Sequence, residues 1–341
     1  MLRREIAEAN AGMPIGMITR RTLLQAAACT TISAAAGPTW ATATYPSRPV
    51  TWVLPYAAGG ATGRLAQPIC ERLSQRLGQP FTMENRPGAG SNTGTESVVH
   101  AAPDGYTILA TSTANAINVS FDPSLPFDAA HDLIHVAVLA RMPLLLMVST
   151  ELPVKTLVEF IAYAKANPGK LSVGSAGLGT VQHLSAELFS VMAGLEWTNV
   201  HYRGSGPALV DLSSGHIHAM FDNVASSLEL LRSGKGRALA VTTREPCAVT
   251  PELPPIWTAL PGYNTSGFYG TAVPRGTPQD IVDLLNRETN LAIADPAIRK
   301  QFDAIGAIPV PCNARDSAGV FGAEIVRWRQ LIALARVRKD G

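Results

Sequence analysis

PVTWVLPYAAGGATGRLAQPICERLSQRL, residues 49–77, changes its hydrophobic period once, and that change decides the fold. Val50 to Leu54 reads as a buried strand and Pro55 to Gly60 as a tight loop of small residues. From Ala61 the apolar positions Leu65, Ile69, Leu73 and Leu77 recur every fourth residue, the stripe of a helix. A strand that breaks at glycines directly before a helix leaves the helix's first N–H groups uncovered. Those donors and the positive end of the helix dipole favour an anion without any charged side chain. Residues 170–188 repeat the arrangement: a short strand (Leu171–Gly174), a loop SAGLG (175–179), then a helix with Val181, Leu184, Leu188 and Met192 on one face. The two loops read as two halves of one anion site. Ala58, Gly59, Gly60, Ala61, Thr62 and Gly63 form one wall, and Ser175, Ala176, Gly177, Gly179 and Thr180 the other.

The 341 residues suffice for two ordinary domains, and 46% hydrophobic against 16% charged content allows a large core. Residues 1–43 hold Arg3, Arg4, Arg20 and Arg21 against Glu5 and Glu8. Of the chain's 28 basic and 26 acidic residues, that leaves 24 of each beyond position 43. A neutral body argues against a nucleic-acid surface. Residues 1–43 read as an export signal, with Arg20-Arg21 before a weakly apolar run to Pro38 and a small-x-small site at Ala41-Thr42-Ala43. The paired arginines followed by two leucines look like a twin-arginine signal, with the ordinary secretory route as alternative. Three cysteines remain in the body; Cys70 reads as a core residue, and Cys247 and Cys312, both in Pro-containing loops, are candidates to pair. No CxxC is present.

Strands and helices alternate along the chain, as in a mostly parallel sheet. Tyr106–Ala110 reads as a strand ending in a polar loop at 111–115, Ile217–Phe221 as a strand ending in Asp222-Asn223, and 245–267 as irregular. Thr277-Pro278 and Asp295-Pro296 each read as a cap with proline at the first helical position. The expected organisation is two lobes, 44–144 with 267–341 and 145–266, with hinges near 141–145 and 266–269 and one anion loop on each wall of a cleft.

The segments YPSRPV, PYAAGGAT, LGQPFTMENRPGAGSNTG and APDGYTIL resemble the Bug family, the periplasmic receptors of tripartite tricarboxylate transporters. GSAGLGTVQHLSAELF, HYRGSGPALVDLSSGHIHAMFDN and VPRGTPQDIVDLLN resemble it too, in the same order, so the likeness spans essentially everything after the export signal. It implies an α/β, two-lobed, type II Venus-flytrap fold with mixed sheets. It also implies a small carboxylate held by loops 56–63 and 175–180, and a membrane transporter as partner. In the family the AGG loop is usually followed by an Asp; here Gly63 and then Arg64 follow Thr62. A lost carboxylate suits a ligand without an ammonium group. Arg64 or Arg203 then meets a second carboxylate, or Arg64 simply faces solvent.

Further candidates are Thr111, Ser112 and Asn115 at a strand end, Asp222 and Asn223 as ligand contacts or loop caps, and Tyr56 shaping the cleft. His183 reads either as a ligand donor or as a brace for its loop. His131-Asp-Leu-Ile-His135 imitates HExxH without its glutamate, and His216 and His218 alternate as on a strand, without a third metal ligand. Gly88–Gly94 is one residue too long for a dinucleotide fingerprint, and neither GxxxxGK[ST] nor GxSxG occurs. The reading is therefore a monomeric, exported carboxylate receptor with no cofactor, metal or catalytic residue. A cleft enzyme, or a receptor for a sensor kinase, is the alternative.

Overall fold

A computed structural model describes residues 45–335 and 337; the export segment expected at 1–43 lies outside the described residues. The first sheet contains β1 (Val50–Leu54), β2 (Phe81–Asn85), β3 (Thr107–Ser112), β4 (Leu133–Met142), β10 (Gly267–Pro274) and β11 (Ile308–Pro309), in the order β11-β4-β10-β3-β1-β2. The second contains β5 (Leu144–Val148), β6 (Ser172–Ser175), β7 (Thr198–His201), β8 (Ala219–Asn223) and β9 (Arg237–Val241), in the order β7-β6-β8-β5-β9.

Helices flank both sheets: α1 (Ala61–Leu77), α2 (Asn92–Val99) and α3 (Thr113–Phe121) in the first lobe, α4 (Leu157–Ala166), α5 (Val181–Ala193), α6 (Ser205–Ser213) and α7 (Val224–Arg232) in the second. The chain then returns through α8 (Gln279–Ala294), α9 (Pro296–Ala304) and α10 (Ala314–Ala335). Because β1 is covered on both faces, it reads as a nearly unbroken apolar run. Val50, Trp52 and Leu54 pack with Leu65, Ile69 and Leu73 of α1 and with Val282 and Leu285 of α8. Val53 faces the other way, into a cluster with Val98, Ile117, Phe121 and Trp328 that continues into the second lobe through Leu146, Phe160 and Phe189. Full burial of each such aliphatic or aromatic side chain contributes about 1.5–3 kcal/mol. No helix among the described residues is long and apolar enough to cross a membrane.

The sheets are mixed, not mostly parallel. β1 pairs parallel with β2 and β3, and β6 with β7 and β8; β10 runs antiparallel to both β3 and β4, and β5 antiparallel to both β8 and β9. β10 and β5 are the strands that have just arrived from the other sheet, and each enters at the edge where its neighbours end; the two-residue β11 also pairs antiparallel with β4, at the outer edge of the first sheet.

Other local expectations are corrected in the same way. Residues 111–115 are not a loop: β3 runs to Ser112, and α3 starts at Thr113 behind a capping box in which Ser112 and Asn115 exchange bonds. β8 begins only at Ala219, so His216 and His218 precede it and go separate ways, to Asp211 and to the Ser172 amide. The HDLIH stretch runs from a turn into β4; His135 is buried on Phe321 while exposed His131 pairs with Asp128. Pro278 is the cap residue of α8 and not its first helical residue, whereas Asp295 caps α9 with Pro296 following, as read. Cys247 and Cys312 are free thiols, Cys247 buried in the second lobe's core cluster and Cys312 half-buried, its carbonyl bonded by Asn286 and Asn290 of α8.

Helix α2 lies flush on the start of the first glycine loop. A Cβ at Gly94 would come within 2.8 Å of the Pro55 Cα and the Arg86 carbonyl oxygen, backbone atoms that cannot swing aside. Gly94→Ala should therefore cost about 1–3 kcal/mol through overpacking, whereas Gly319→Ala, exposed inside α10 with nothing within 4 Å, should stabilise by about 0.5–1 kcal/mol. Urea unfolding of the two variants checks this; equal midpoints would contradict the packing argument.

Candidate functional site

Strand direction brings the candidate loops to facing edges. Met142 ends β4 and Leu144 begins β5, with only Pro143 between them. Leu144 pairs with Asn223, the last residue of β8, and Gly267, the first of β10, pairs with Met142. The carboxyl ends of the parallel strands in both sheets thus meet at the crossings. That is the edge where α/β sheets hold ligands.

The helices that start at those carboxyl ends share an electrostatic feature. None of α1, α2, α3, α5, α6 and α7 carries an acidic residue in its first turn. Three helices that follow the oppositely directed strands do: Glu159 in α4, Asp280 in α8 and Asp316 in α10. The positive helix ends are compensated at the outer edges and left open at the inner ones.

In the first lobe, Ala58, Gly59 and Gly60 are exposed, and Gly60 caps α1 with no side-chain bond. The first amide turned inward is that of Arg64, which donates to the Gly60 carbonyl at 3.2 Å, leaving Ala61, Thr62 and Gly63 at the open end. Tyr56 stands behind the loop. Its hydroxyl lies 2.5 Å from Ser112 Oγ, its carbonyl accepts from Asn85 Nδ2 at 2.7 Å, and burial pushes its phenol up. Ser112 and Asn115 thus brace the loop from below, and Asn115 Nδ2 continues the chain to Thr95 Oγ1 at 2.7 Å. Thr111 is fully buried one residue earlier.

The second loop is tied by its own side chains. Thr180 caps α5 by accepting from the His183 amide and donates to the Gly177 carbonyl at 2.7 Å. His183 Nδ1 accepts from the Gly179 amide at 3.2 Å, the bracing role, and its ring meets His201 edge-on. Burial above all, with His201 beside it, pushes His183 down to about 4. The Ala176 carbonyl accepts from the Gly204 amide, which brings the Arg203 turn against this loop. At Gly179 a Cβ would strike the Phe121 ring of the first lobe at 2.8 Å, and its φ of +73° is one that side chains avoid.

Asp222 is fully buried and engaged: it accepts from Ser205, Ser226 and Ser227, so it ties α6 to α7 beneath their first turns. Burial pushes its carboxyl up against the pull of those hydroxyls. Asn223 Oδ1 accepts from the Tyr269 hydroxyl at 3.3 Å, a bond across the lobes. Arg64 makes another; exposed, it reaches the Ala225 carbonyl in α7 at 3.5 Å. Arg203 is exposed as well. A cavity of about 370 Å³ behind α3 takes in Asn115, and one of about 380 Å³ lies between β4, α8 and α10. Sequence reasoning missed His201 and the three serines on Asp222; nothing local marks them, since their partners are 17–26 residues away or on the next helix.

Residues 65–336 match the family described as tripartite tricarboxylate transporter family receptor. The chain belongs to this family. It is 35% identical over 292 residues to the protein BugT of Bordetella pertussis, covering 85% of this chain and 90% of that one. Among solved structures it is similar to R. palustris Rpa4515 with adipate (38% identity, TM-score 0.83, 86% of this chain and 99% of that one). It is also similar to MatC from Rhodopseudomonas palustris with bound malate (33% identity, TM-score 0.78, 84% and 100%). The two-lobed α/β reading stands with these receptors.

The histidines of this receptor give its stability a pH signature. His183 and His135 are both held near 4, mainly by burial, below their ordinary 6.5. The unfolded chain therefore takes up the protons first, and stability is lost as pH falls from about 6.5 toward about 4. Between pH 6.5 and 5 the melting temperature should fall, and less steeply in His183→Gln. Slopes unchanged in both His183→Gln and His135→Gln would contradict the assignment.

Proposed function

We propose that this chain is an exported, periplasmic receptor that captures a small carboxylate between its lobes and delivers it to a membrane transporter of the tripartite tricarboxylate type. The observation that carries the reading is the set of acid-free, largely uncapped helix starts at the two facing sheet edges. One ligand carboxylate sits between loop 56–63 and loop 175–180 and takes hydrogen bonds from their free amides. The lobes correspond to 44–144 with 267–341 and to 145–266, and residues 1–43 direct export. The ligand leaves chemically unchanged, and the protein works as a monomer without cofactor or metal.

Similar proteins whose structures were solved with adipate and with bound malate make dicarboxylates the first ligands to test. Arg64, unpaired with any acid among the described residues and reaching over the gap to α7, is our first candidate to meet a second carboxylate, and exposed Arg203 the other.

A hydrolase reading has one observation in its favour: Ser175 Oγ lies 2.9 Å from His201 Nδ1, a nucleophile–base distance. Ser175 is however only 3% exposed, its hydroxyl also bonds the Gly177 carbonyl, and Glu187, whose charge acts on His201, accepts from Asn199 instead of bonding the imidazole. Recovery of intact ligand after long incubation separates the two readings; a consumed ligand favours the enzyme.

The grip itself can be tested with one atom removed. Gly60 has φ −75° and ψ 173°, a conformation that precedes proline without strain, and Ala61 is the first residue of α1. Ala61→Pro deletes a single amide donor while leaving the helix intact. Loss of one hydrogen bond to a charged group costs about 1.5–3 kcal/mol, so adipate or malate affinity by calorimetry should drop at least tenfold with an unchanged apo melting temperature. Unchanged affinity would remove this loop from the site. Arg64→Ala and Arg203→Ala should weaken a dicarboxylate more than the monocarboxylate of equal length in at least one case; equal losses in both variants would rule out a second charge contact.

A further inference from the structure

The helix that ends the described fold does more than cover a core. α10 packs on α3 and β4 of the first lobe and on α5 of the second, so it lies over both crossings. One turn of it reaches into each. Glu324, only 2% exposed, accepts from Arg141 Nη2 at 2.7 Å, and Arg141 sits on β4 two residues before Pro143. Arg141 Nη1 also faces Ser266 Oγ at 3.4 Å, on the returning crossing. Three residues along the helix, Arg327 donates to the Asn264 carbonyl and lies 3.8 Å from the same Glu324 carboxylate. Trp328 Nε1 holds the remaining carboxylate oxygen at 3.0 Å.

Asn264 belongs to the second lobe's side of the return. Its neighbour Thr265 is fastened there by its amide to the Thr242 carbonyl and by the Thr242 and Ser185 hydroxyls, and Tyr263 is bonded to the Ser185 carbonyl. From Gly267 onward the chain is paired with β4 instead. The residues between the two sheets are thus Pro143, whose carbonyl accepts from the Val224 amide at 3.2 Å, and Ser266, held through its Oγ by Arg141, and the Arg141–Glu324–Arg327 group ties together the residues on either side of them.

We propose that this group is an interlobe brace: through Glu324 and Arg327, positioning residues that touch no ligand, α10 sets the angle between the lobes and with it the affinity of the cleft. The inference rests on the receptor reading for its effect on affinity, but not for its effect on shape. The brace is formed in an arrangement where the lobes already touch, at Arg64 with the Ala225 carbonyl and at Phe121 with Gly179. Cutting it removes restraints particular to that arrangement, so the unliganded population spreads to wider angles. A ligand that needs the closed lobes then binds with an apparent affinity reduced by the fraction of closed molecules lost.

The test compares wild type with Arg327→Met, which keeps the apolar stem and drops the bonds to Asn264 and Glu324, and with Arg327→Lys, which keeps the charge and a donor. Small-angle scattering of the unliganded proteins gives the radius of gyration, and calorimetry with adipate gives the dissociation constant. The expected result is a larger radius and an adipate constant raised at least fivefold in Arg327→Met, with both restored toward wild type in Arg327→Lys. A purely structural role would lower the melting temperature of Arg327→Met while leaving radius and dissociation constant at wild-type values, and that outcome overturns the brace. If Arg327→Met fails to fold, Glu324→Gln takes its place, and a radius and dissociation constant at wild-type values in that variant overturn the brace equally. If neither adipate nor malate binds wild type, the receptor reading fails for those ligands, and the radii alone decide on the brace.

Discussion

Everything functional in this fold depends on where the positive ends of its helices lie. A helix that follows a parallel strand must start at that strand's carboxyl end, so each strand–loop–helix unit delivers a set of free N–H donors to one edge of its sheet. The chain places β1 and α1 in one sheet and β6 and α5 in another, and the registers at Leu144–Asn223 and Gly267–Met142 turn those two edges toward each other. Acidic side chains are spent elsewhere: Glu159, Asp280 and Asp316 sit on outer helix starts, and Asp222 is enclosed by three serine hydroxyls. On the proposed reading, what faces the gap is then a field of amide donors, with Arg64 reaching across it to the Ala225 carbonyl. Such a field attracts an anion, and because its donors are fixed by backbone it needs little reorganisation to do so.

The two crossings supply the second half of the account. A strand that has just come over from the other lobe runs against the neighbours it enters between, which is why β10 is antiparallel to β3 and β4, and β5 to β8 and β9. Two short connections leave rotation as the easiest motion between the lobes, and in the proposed function differential contact with ligand in the closed arrangement would convert rotation into binding. The C-terminal helix packs on elements of both lobes, so the proposed brace would link core packing, hinge and affinity through one element.

Much of this is legible in the sequence. The fourfold stripe after PYAAGG and its echo after SAGLG located both glycine loops, because a change of hydrophobic period at small residues has one structural meaning. The lobe-by-lobe β/α alternation followed from the same signal. Strand direction did not: Phe268–Val273 looks the same whether it pairs parallel or antiparallel, since direction is set by where the chain has come from. Residues 111–115 looked like a loop because Thr, Ser and Asn are polar, yet Ser112 and Asn115 at capping-box spacing start a helix, a signal that was present and passed over. The contacts on Asp222, the His183–His201 pair and the Glu324 cluster join distant segments, and no local pattern encodes them.

The central claim is that one carboxylate is gripped at once by amides from both lobes. The most direct measurement is backbone amide NMR of the isotope-labelled protein titrated with adipate, following Ala61 and Thr62 in α1 together with Val181 and Gln182 in α5. The account predicts that these amide signals move downfield in a single titration with a common dissociation constant. Shifts confined to one of the two helix starts, or a saturable titration that leaves both unmoved, would contradict it.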